Sequence, residues 1–550
     1  AGRYRFSHAL VRATLYDSLT ASRKVRLHRR LAEAIESVHG DGLDHHLPAL
    51  ARHWARASPP PADTANAVEY ATRAGDRALA QLAHDEAATY YRQALEFLRP
   101  DAGDLRQAEL LIAVGEAQRR AGDPAHRETL LDAGRLARHL GDVESCARAA
   151  LANHSGLFSR YFDVDAERVA ALEDALEAVG PSETPVRARL LAALAGELYF
   201  VHDERRRALG GEALAVARRL GDPATLAEVL ASVWYATSDP TTREERTALV
   251  TELSDLAREL RDHLLGFHAG LALFLTAMQE GDLERADAEL ENCARLADEL
   301  RQPVLRWRLL YSRATREMAA GRFEAAECLV EEARRVGEAI GQPDTAYCYD
   351  VGIASIRLLE HRLEEALAIC ERRRSVLPFL GAAAWCHAAI GDAEEAGAIV
   401  RSLRSDHFAQ VPRDHGWLVT LTFLARASAC LGDTEATSGL YELLLPCRDE
   451  VVAFHMGWAG PVASDLGLLA ASLRRYDEAD ARFSDAAETL ERMASPARLA
   501  QVRLEWARTL LTRRQRGDVE RAQELVRGAL AVTRELGLDA VKARSDAVMN

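Results

Sequence analysis

Eight aromatic and histidine residues in the second half of the chain have the types a binding groove needs: Trp307, Trp385, His387, His415, Trp417, Phe454, His455 and Trp458. Flat rings supply apolar contact area, and histidines add hydrogen-bonding groups that need not be charged. The four tryptophans are expected near the starts of first helices in successive helical hairpins. In a superhelix those helices line the concave side. The same rings could instead fill the core between repeats, as Trp506 is expected to do at an aromatic repeat position. Arg306, Arg308, Arg313 and Arg413 are close enough in sequence to offer anion contacts, but arginine is abundant throughout.

Other constellations point away from catalysis. His39, His45, His46 and His53 cluster in "VHGDGLDHHLPALARHW", and His46 and His53 could share a helix face. Without cysteine ligands or a closed ligand spacing the segment reads as a solvated linker rather than a zinc site. Neither H-E-x-x-H nor G-x-S-x-G occurs. Lysine appears only at Lys24 and Lys542, and neither follows a glycine, so a phosphate-cradling Gly-Lys-Ser/Thr loop is missing. Acid pairs such as Glu331-Glu332 and Glu394-Glu395 sit in helix-surface contexts. The chain reads as a binding protein, not an enzyme, with no cofactor and no metal.

The elements that must position these residues are helices. The 550 residues are 48% hydrophobic but only 6% aromatic, so alanine and leucine dominate. Charged residues reach 28% and the formal net charge is −15. That balance opposes a surface built to grip nucleic acid. The first 30 residues differ, with Arg3, Arg5, Arg12, Arg23, Lys24, Arg26, Arg29 and Arg30 against Asp17 alone. Few aromatics interleave them, so a solvated or partner-facing surface is expected, not a nucleic-acid grip. Eight cysteines without a C-x-x-C pair read as reduced core thiols of a cytoplasmic protein. No signal peptide opens the chain. Apolar runs such as Ala269 to Met278 fall short of the roughly 18 residues of a membrane span.

Helical periodicity is nearly continuous, broken by Gly-Asp, Gly-Gln-Pro and Gly-Asp-Pro. A phrase recurs: "GDLERA", "GRFEAA", "HRLEEA", "GDAEEA", "GDTEAT", "RRYDEA" and "GDVERA". It aligns Ala286, Ala326, Ala366, Ala396, Ala436, Ala479 and Ala522, in steps of 40, 40, 30, 40, 43 and 43 residues. Four residues on come Leu290, Val330, Cys370, Val400, Leu440, Phe483 and Val526. Seven on come Cys293, Ala333, Arg373, Leu403, Leu443, Ala486 and Ala529, where only Arg373 breaks the apolar column. Positions i, i+4 and i+7 share one helix face. The small first residue lets two helices approach closely, and each hairpin then buries a face on its neighbours. Segments "ASPPPADT" (57–64) and "VGPSETPV" (179–186) read as linkers.

This pattern resembles the tetratricopeptide repeat (TPR), best in "AHDEAATYYRQALEFLRP" with Ala87, Tyr91, Ala94 and Pro100, and next in "RRYDEADARFSDAAETL". Repeats near 40 residues exceed the family's roughly 34. The resemblance implies an all-α, right-handed superhelical solenoid of TPR-like hairpins over residues 67–550. The opening phrase "FSHALVRATLYDSLTASRKVRLHRRLAEAIE" (6–36), with Ser7 and Thr20 as expected helix caps, resembles a junction in bacterial STAND-type signalling ATPases. That family includes LuxR-type regulators and ATPases fused to nucleotide cyclase domains. "ARHWARA" and "AVEYATRAGDRALAQLAHDEAATYYRQAL" continue the likeness. It implies that residues 1–58 end a winged-helix and ATPase module, and that the repeats sense an inducer or partner on their concave face. Exposed apolar surface around Leu10, Leu15 and Tyr16 is expected where that module would pack. The alternative is a constitutive protein-interaction scaffold.

Overall fold

The computed structural model describes residues 9–40, 42–57, 64–98, 104–154, 164–199, 203–236, 243–537 and 541. Ser7, Pro100, most of the 57–64 linker and the side chain of Leu10 lie outside the described residues. The chain is an all-α solenoid of TPR-like hairpins, right-handed, and it divides into two compact units.

The first unit comprises residues 1–154 and 166–182. Its helices are α1 (Ala9–Asp17), α2 (Ala21–His39), α3 (Leu47–Ala57), α4 (Ala65–Ala80) and α5 (His84–Phe97). They continue with α6 (Asp104–Ala121), α7 (His126–Leu140), α8 (Val143–Asn153) and α9 (Ala166–Val179). Thr20 stands at the N-cap of α2, as its position in the sequence implies, but its side chain makes no capping bond.

The second unit holds residues 155–165 and 183–550. It opens with α10 (Pro185–Glu197), α11 (Asp203–Leu220), α12 (Pro223–Ala236) and α13 (Arg243–Leu260). Hairpins follow: α14 (His263–Glu280) with α15 (Leu283–Leu300), α16 (Pro303–Ala319) with α17 (Phe323–Ala339), and α18 (Thr345–Leu359) with α19 (Leu363–Arg372). Next come α20 (Leu377–Ile390) with α21 (Ala393–Arg404), and α22 (Trp417–Leu431) with α23 (Thr434–Leu444). After strands β1 (Val451–Phe454) and β2 (Gly457–Pro461) come α24 (Val462–Ser472) with α25 (Tyr476–Arg492), and α26 (Pro496–Arg513) with α27 (Asp518–Glu535).

The aligned alanines fall one to each second helix of these seven hairpins, and all are at most 1% exposed. The residues four further on are buried too, from Leu290 at 6% to Val330, Cys370, Val400, Leu440 and Phe483 at 0%. In the third column Arg373 and Leu443 are half-buried. Arg373 reaches Asp350 with its Nε at 2.8 Å, so the break in the column is a charge turned to the hairpin's edge. The Gly-Asp pairs at 281–282, 391–392 and 432–433 are each a C-cap followed by an N-cap, whereas Gly517 is itself the N-cap of α27. Gly281 adopts φ 72° after α14, and the Asp282 carboxylate accepts a bond from the Arg285 N–H. Asp392 and Asp433 cap α21 and α23 in the same way. Where the phrase carries arginine instead, at Arg322, Arg362 and Arg475, no side chain caps the helix.

Six cysteines are buried, but Cys328 and Cys430 are exposed, which corrects the expectation that all eight are core thiols. Among the described residues no helix is long and apolar enough to cross a membrane. Within the histidine segment His39 and His45 are exposed, as expected of a solvated stretch. Residues 43–46 form a short 3-10 turn, the His39 and His46 rings stack at 3.7 Å, and His28 Nδ1 lies 2.8 Å from His53 Nδ1. Leu15 is 52% exposed, as expected at the opening segment. Tyr16 is half-buried, with its hydroxyl 2.9 Å from His28 Nε2 and Lys24 over its ring.

Candidate functional site

Between α23 and α24 the helical hairpins of the second unit are interrupted by an antiparallel β-hairpin. Val451-Val452-Ala453-Phe454 pairs with Gly457 to Pro461, and the register shifts between Val452 and Ala453. Gly460 supports that irregularity at φ 98°, a conformation costly for any residue with a Cβ.

The hairpin does not end in solvent. It lies against the first helices of several earlier repeats. Gln279 of α14 donates from Nε2 to the Ala453 carbonyl at 3.1 Å. Thr315 of α16 donates to the Phe454 carbonyl at 3.1 Å, and Ser312 Oγ is 3.3 Å from His455 Nδ1. Arg426 of α22 donates from Nη2 to the Ala459 carbonyl at 3.0 Å. At the hairpin's base Arg243 Nε reaches the Glu450 carboxylate at 2.6 Å. Side chains from distant repeats thus satisfy the backbone of a short two-stranded ribbon that could not stand alone.

Two chambers flank this insertion. The larger is a partly open cleft of about 60 Å3. Its walls come from α18 (Tyr347, Val351, Ala354, Ser355, Leu358), from the start of α20 (Pro378, Phe379, Ala382) and from α22 with the residues before it (His415, Gly416, Val419, Phe423). Cys370 of α19 and the hairpin tip, Phe454, His455 and Met456, complete it. The smaller chamber, about 10 Å3, lies on the other side of Ser355, Leu358, Phe423 and Phe454, which line both. Trp385, Arg426, Trp458, Arg498 and Gln501 add its remaining polar and aromatic wall.

Arg426 anchors the smaller chamber. Its guanidinium is 6% exposed and meets Asp465, which is fully buried, with Nε to Oδ1 at 2.7 Å. Trp385 and Phe423 stack at 5.9 Å between centroids and 12° between planes, and the Arg426 guanidinium lies 5.0 Å from the first ring and 5.3 Å from the second. The charge is thus paired and held against two aromatic faces.

In the larger cleft burial governs protonation. It pushes the His455 imidazole down to about 3, with Arg308 adding to the effect. Burial also lowers His415, with Arg206 helping and Asp414 opposing. The Cys370 thiol is pushed up to about 12 by burial. Both imidazoles are therefore neutral and the thiol protonated at ordinary pH.

Of the eight residues singled out from the sequence, five line these chambers: His415, Phe454 and His455 the cleft, and Trp385, Trp458 and again Phe454 the smaller chamber. Phe454, His455 and Trp458 stand on the β-hairpin and not at helix starts, because the Val-Val-Ala-Phe run pairs with the Gly-rich strand after it. Trp385 lies in the second half of α20. The other three sit elsewhere. Trp307, at the start of α16, is core packing beside Tyr311, edge to face at 5.6 Å. Trp417 opens α22, buried, with Arg413 over its ring at 5.1 Å. His387 lies between Glu371 (3.1 Å) and Asp392 (2.9 Å) at the C-terminal end of α20. Arg306 and Arg313 are exposed, and Arg306 pairs with Glu332.

The sequence reading missed the hairpin and, with it, Tyr347, Phe379 and Phe423 as cleft walls. A β-branched and aromatic run followed within two residues by a glycine-rich one was the available signal. Among the described residues no group of three or more His, Cys, Asp or Glu is placed to hold a metal ion.

No protein-family profile matches the sequence, and no curated protein matches it. Among solved structures the chain is similar to a Rap protein complexed with competence and sporulation factor, at 14% identity over 58% of this chain and 98% of that one, with a TM-score of 0.39. It is also similar to yeast Tom70, at 12% identity over 84% of this chain and 99% of that one, with a TM-score of 0.31.

Proposed function

We propose that the chain is a regulatory binding region. A ligand seats in the cleft at the tip of the β-hairpin and shifts the second unit between two arrangements of its helical hairpins. One observation carries this reading: the cleft walls come from α18, α20, α22 and the inserted hairpin together. An occupant touches all four, so it stabilises whichever arrangement brings them together. The inner helices Gln279 and Thr315 stand on are already bonded to the hairpin, so an extended peptide along that stretch would have to displace it. A small molecule beside the tip needs no such displacement.

The resemblance of residues 6–36 to a STAND-type junction extends this reading. The region would then be the sensor of a signal-transduction ATPase or transcription regulator, coupled to an ATPase and winged-helix module. Thermal-shift screening of a metabolite library tests the core of the proposal. At least one small molecule should raise the melting temperature of the wild type and leave Ala382→Leu, with its cleft partly filled, unmoved. Stabilisation by protein or peptide partners alone would sink it.

The second reading is a constitutive scaffold for protein partners. It is favoured by one feature of the first unit: Leu27, Leu31 and Val38 form an exposed apolar stripe along α2, at 40%, 48% and 76% exposure.

A further inference from the structure

We infer that the cleft takes an uncharged, largely apolar small molecule, and not an anion, a nucleotide or a peptide terminus. The inference rests on the cleft being the ligand site, and names the class of ligand.

No Asp, Glu, Lys or Arg stands among the described residues that line the cleft. The rings of Phe379, Phe423 and Phe454 and the thioether of Met456 are among its walls. The groups there that could carry charge are held neutral. His455 and His415 are kept unprotonated and Cys370 protonated, in each case chiefly by burial. An ionised ligand would leave its hydration shell and find no countercharge on the wall.

Two of the charges behind the walls are engaged, Arg426 by Asp465 and Arg373 by Asp350, while the buried Arg308 and Arg206 lie close enough to His455 and His415 to lower both imidazoles. Recruiting Arg426 for a ligand anion would strand Asp465, which is fully buried, whereas Asp350 would keep Arg372 as a partner. An uncharged apolar ligand meets none of these costs and gains from removing its own surface from water.

A second observation marks the cleft as unfinished. His455 Nδ1 faces Ser312 Oγ at 3.3 Å, while its Nε2 is buried and has no hydrogen-bond partner. A buried ring nitrogen without a partner is costly. A single donor or acceptor on an otherwise apolar ligand could relieve it. The Ser355 hydroxyl, on the wall shared with the smaller chamber, is a second polar point.

Two fluorescent probes with one ring system separate the possibilities: uncharged N-phenylnaphthylamine and anionic anilinonaphthalene sulfonate. The wild-type chain should bind the uncharged probe saturably with blue-shifted emission, and the sulfonate about tenfold more weakly or worse, since its charge finds no partner. Ala354→Leu, on α18, and Ala382→Leu, on α20, fill the cleft from opposite walls, and each should weaken the uncharged probe at least about tenfold while keeping a cooperative melting transition. The wild-type comparison stands even if one variant fails to fold. Sulfonate bound as tightly as the uncharged probe, and lost in the same variants, would overturn the ligand class and leave the cleft as a binding site. Absence of saturable binding by either probe, or binding untouched by a folded variant, would overturn the cleft reading as well.

Discussion

Arg426 and Asp465 show how one pair of residues can decide a site. Both are buried, so neither charge is solvated, and the pair holds the Ala459 carbonyl of β2 as well. Removing one member strands the other. Asp465→Leu or Arg426→Leu should each cost roughly 3–5 kcal/mol in chemical denaturation, whereas the double Arg426→Leu/Asp465→Leu variant should cost markedly less than the sum. Strict additivity would mean that the two do not act as a pair. A change in the other direction is available at Arg474. This exposed residue follows α24 at φ 61°, in the slot that glycine fills in the Gly-Asp junctions. The left-handed conformation costs a side-chain residue roughly 1–2 kcal/mol, part of which glycine returns through its freer unfolded state. Arg474→Gly should therefore stabilise the chain by about 0.5–1 kcal/mol. A lowered melting temperature would show that the Arg474 side chain makes up for its backbone strain.

At the scale of elements, the packing of α1 on α2 and α3 depends on neutral imidazoles. His28 bridges Tyr16 of α1 and His53 of α3, and the two imidazoles share their contact at 2.8 Å. Burial first, then Arg52 and Arg56, lowers both histidines, His53 from 6.5 to about 4. Between those values the unfolded chain binds more protons than the folded one, so stability falls as the pH drops from 6.5 towards 4. Hydrogen exchange in α2 and α3 should accelerate over that window. His53→Phe should flatten the dependence, and an unchanged profile in that variant would show that the pair does not govern it.

The same scale shows what was legible in the sequence. The alanine column predicted the seven second helices because a small residue, an apolar one and another largely apolar one at i, i+4 and i+7 are local signals. The Gly-Asp phrase gave the junctions for the same reason. The β-hairpin was not legible as a cleft wall. Its strands of four and five residues are short, and their stability comes from Gln279, Thr315 and Arg426, which are distant in sequence. Trp307 and Trp385 were indistinguishable by spacing, yet one packs in the core and the other lines a chamber. That difference is set by the hairpin.

Across the second unit, the distant contacts go beyond the hairpin. A linear repeat array is stabilised only between neighbours. Here the α14–α15 turn at Gly281 abuts Arg492 and Met493 at the end of α25, and the α16–α17 turn at Gly321 abuts Ala497 of α26. Gln501 of α26 donates to the Leu359 carbonyl at the end of α18 at 2.6 Å. Early and late hairpins therefore hold one another, and the inner face with its cleft is set by both. Such a unit should respond to a local lesion as a whole. Ala497 is 2% exposed, and a carboxylate there would be buried beside Gly321 without a partner. Ala497→Glu should lower the melting temperature of the second unit by several degrees and raise amide exchange in α14 to α17 as well as in α26 and α27. Loss of protection confined to α26 and α27 would mean that the repeats act as a neighbour-coupled array. A ligand in the cleft would then bias only the hairpins it touches.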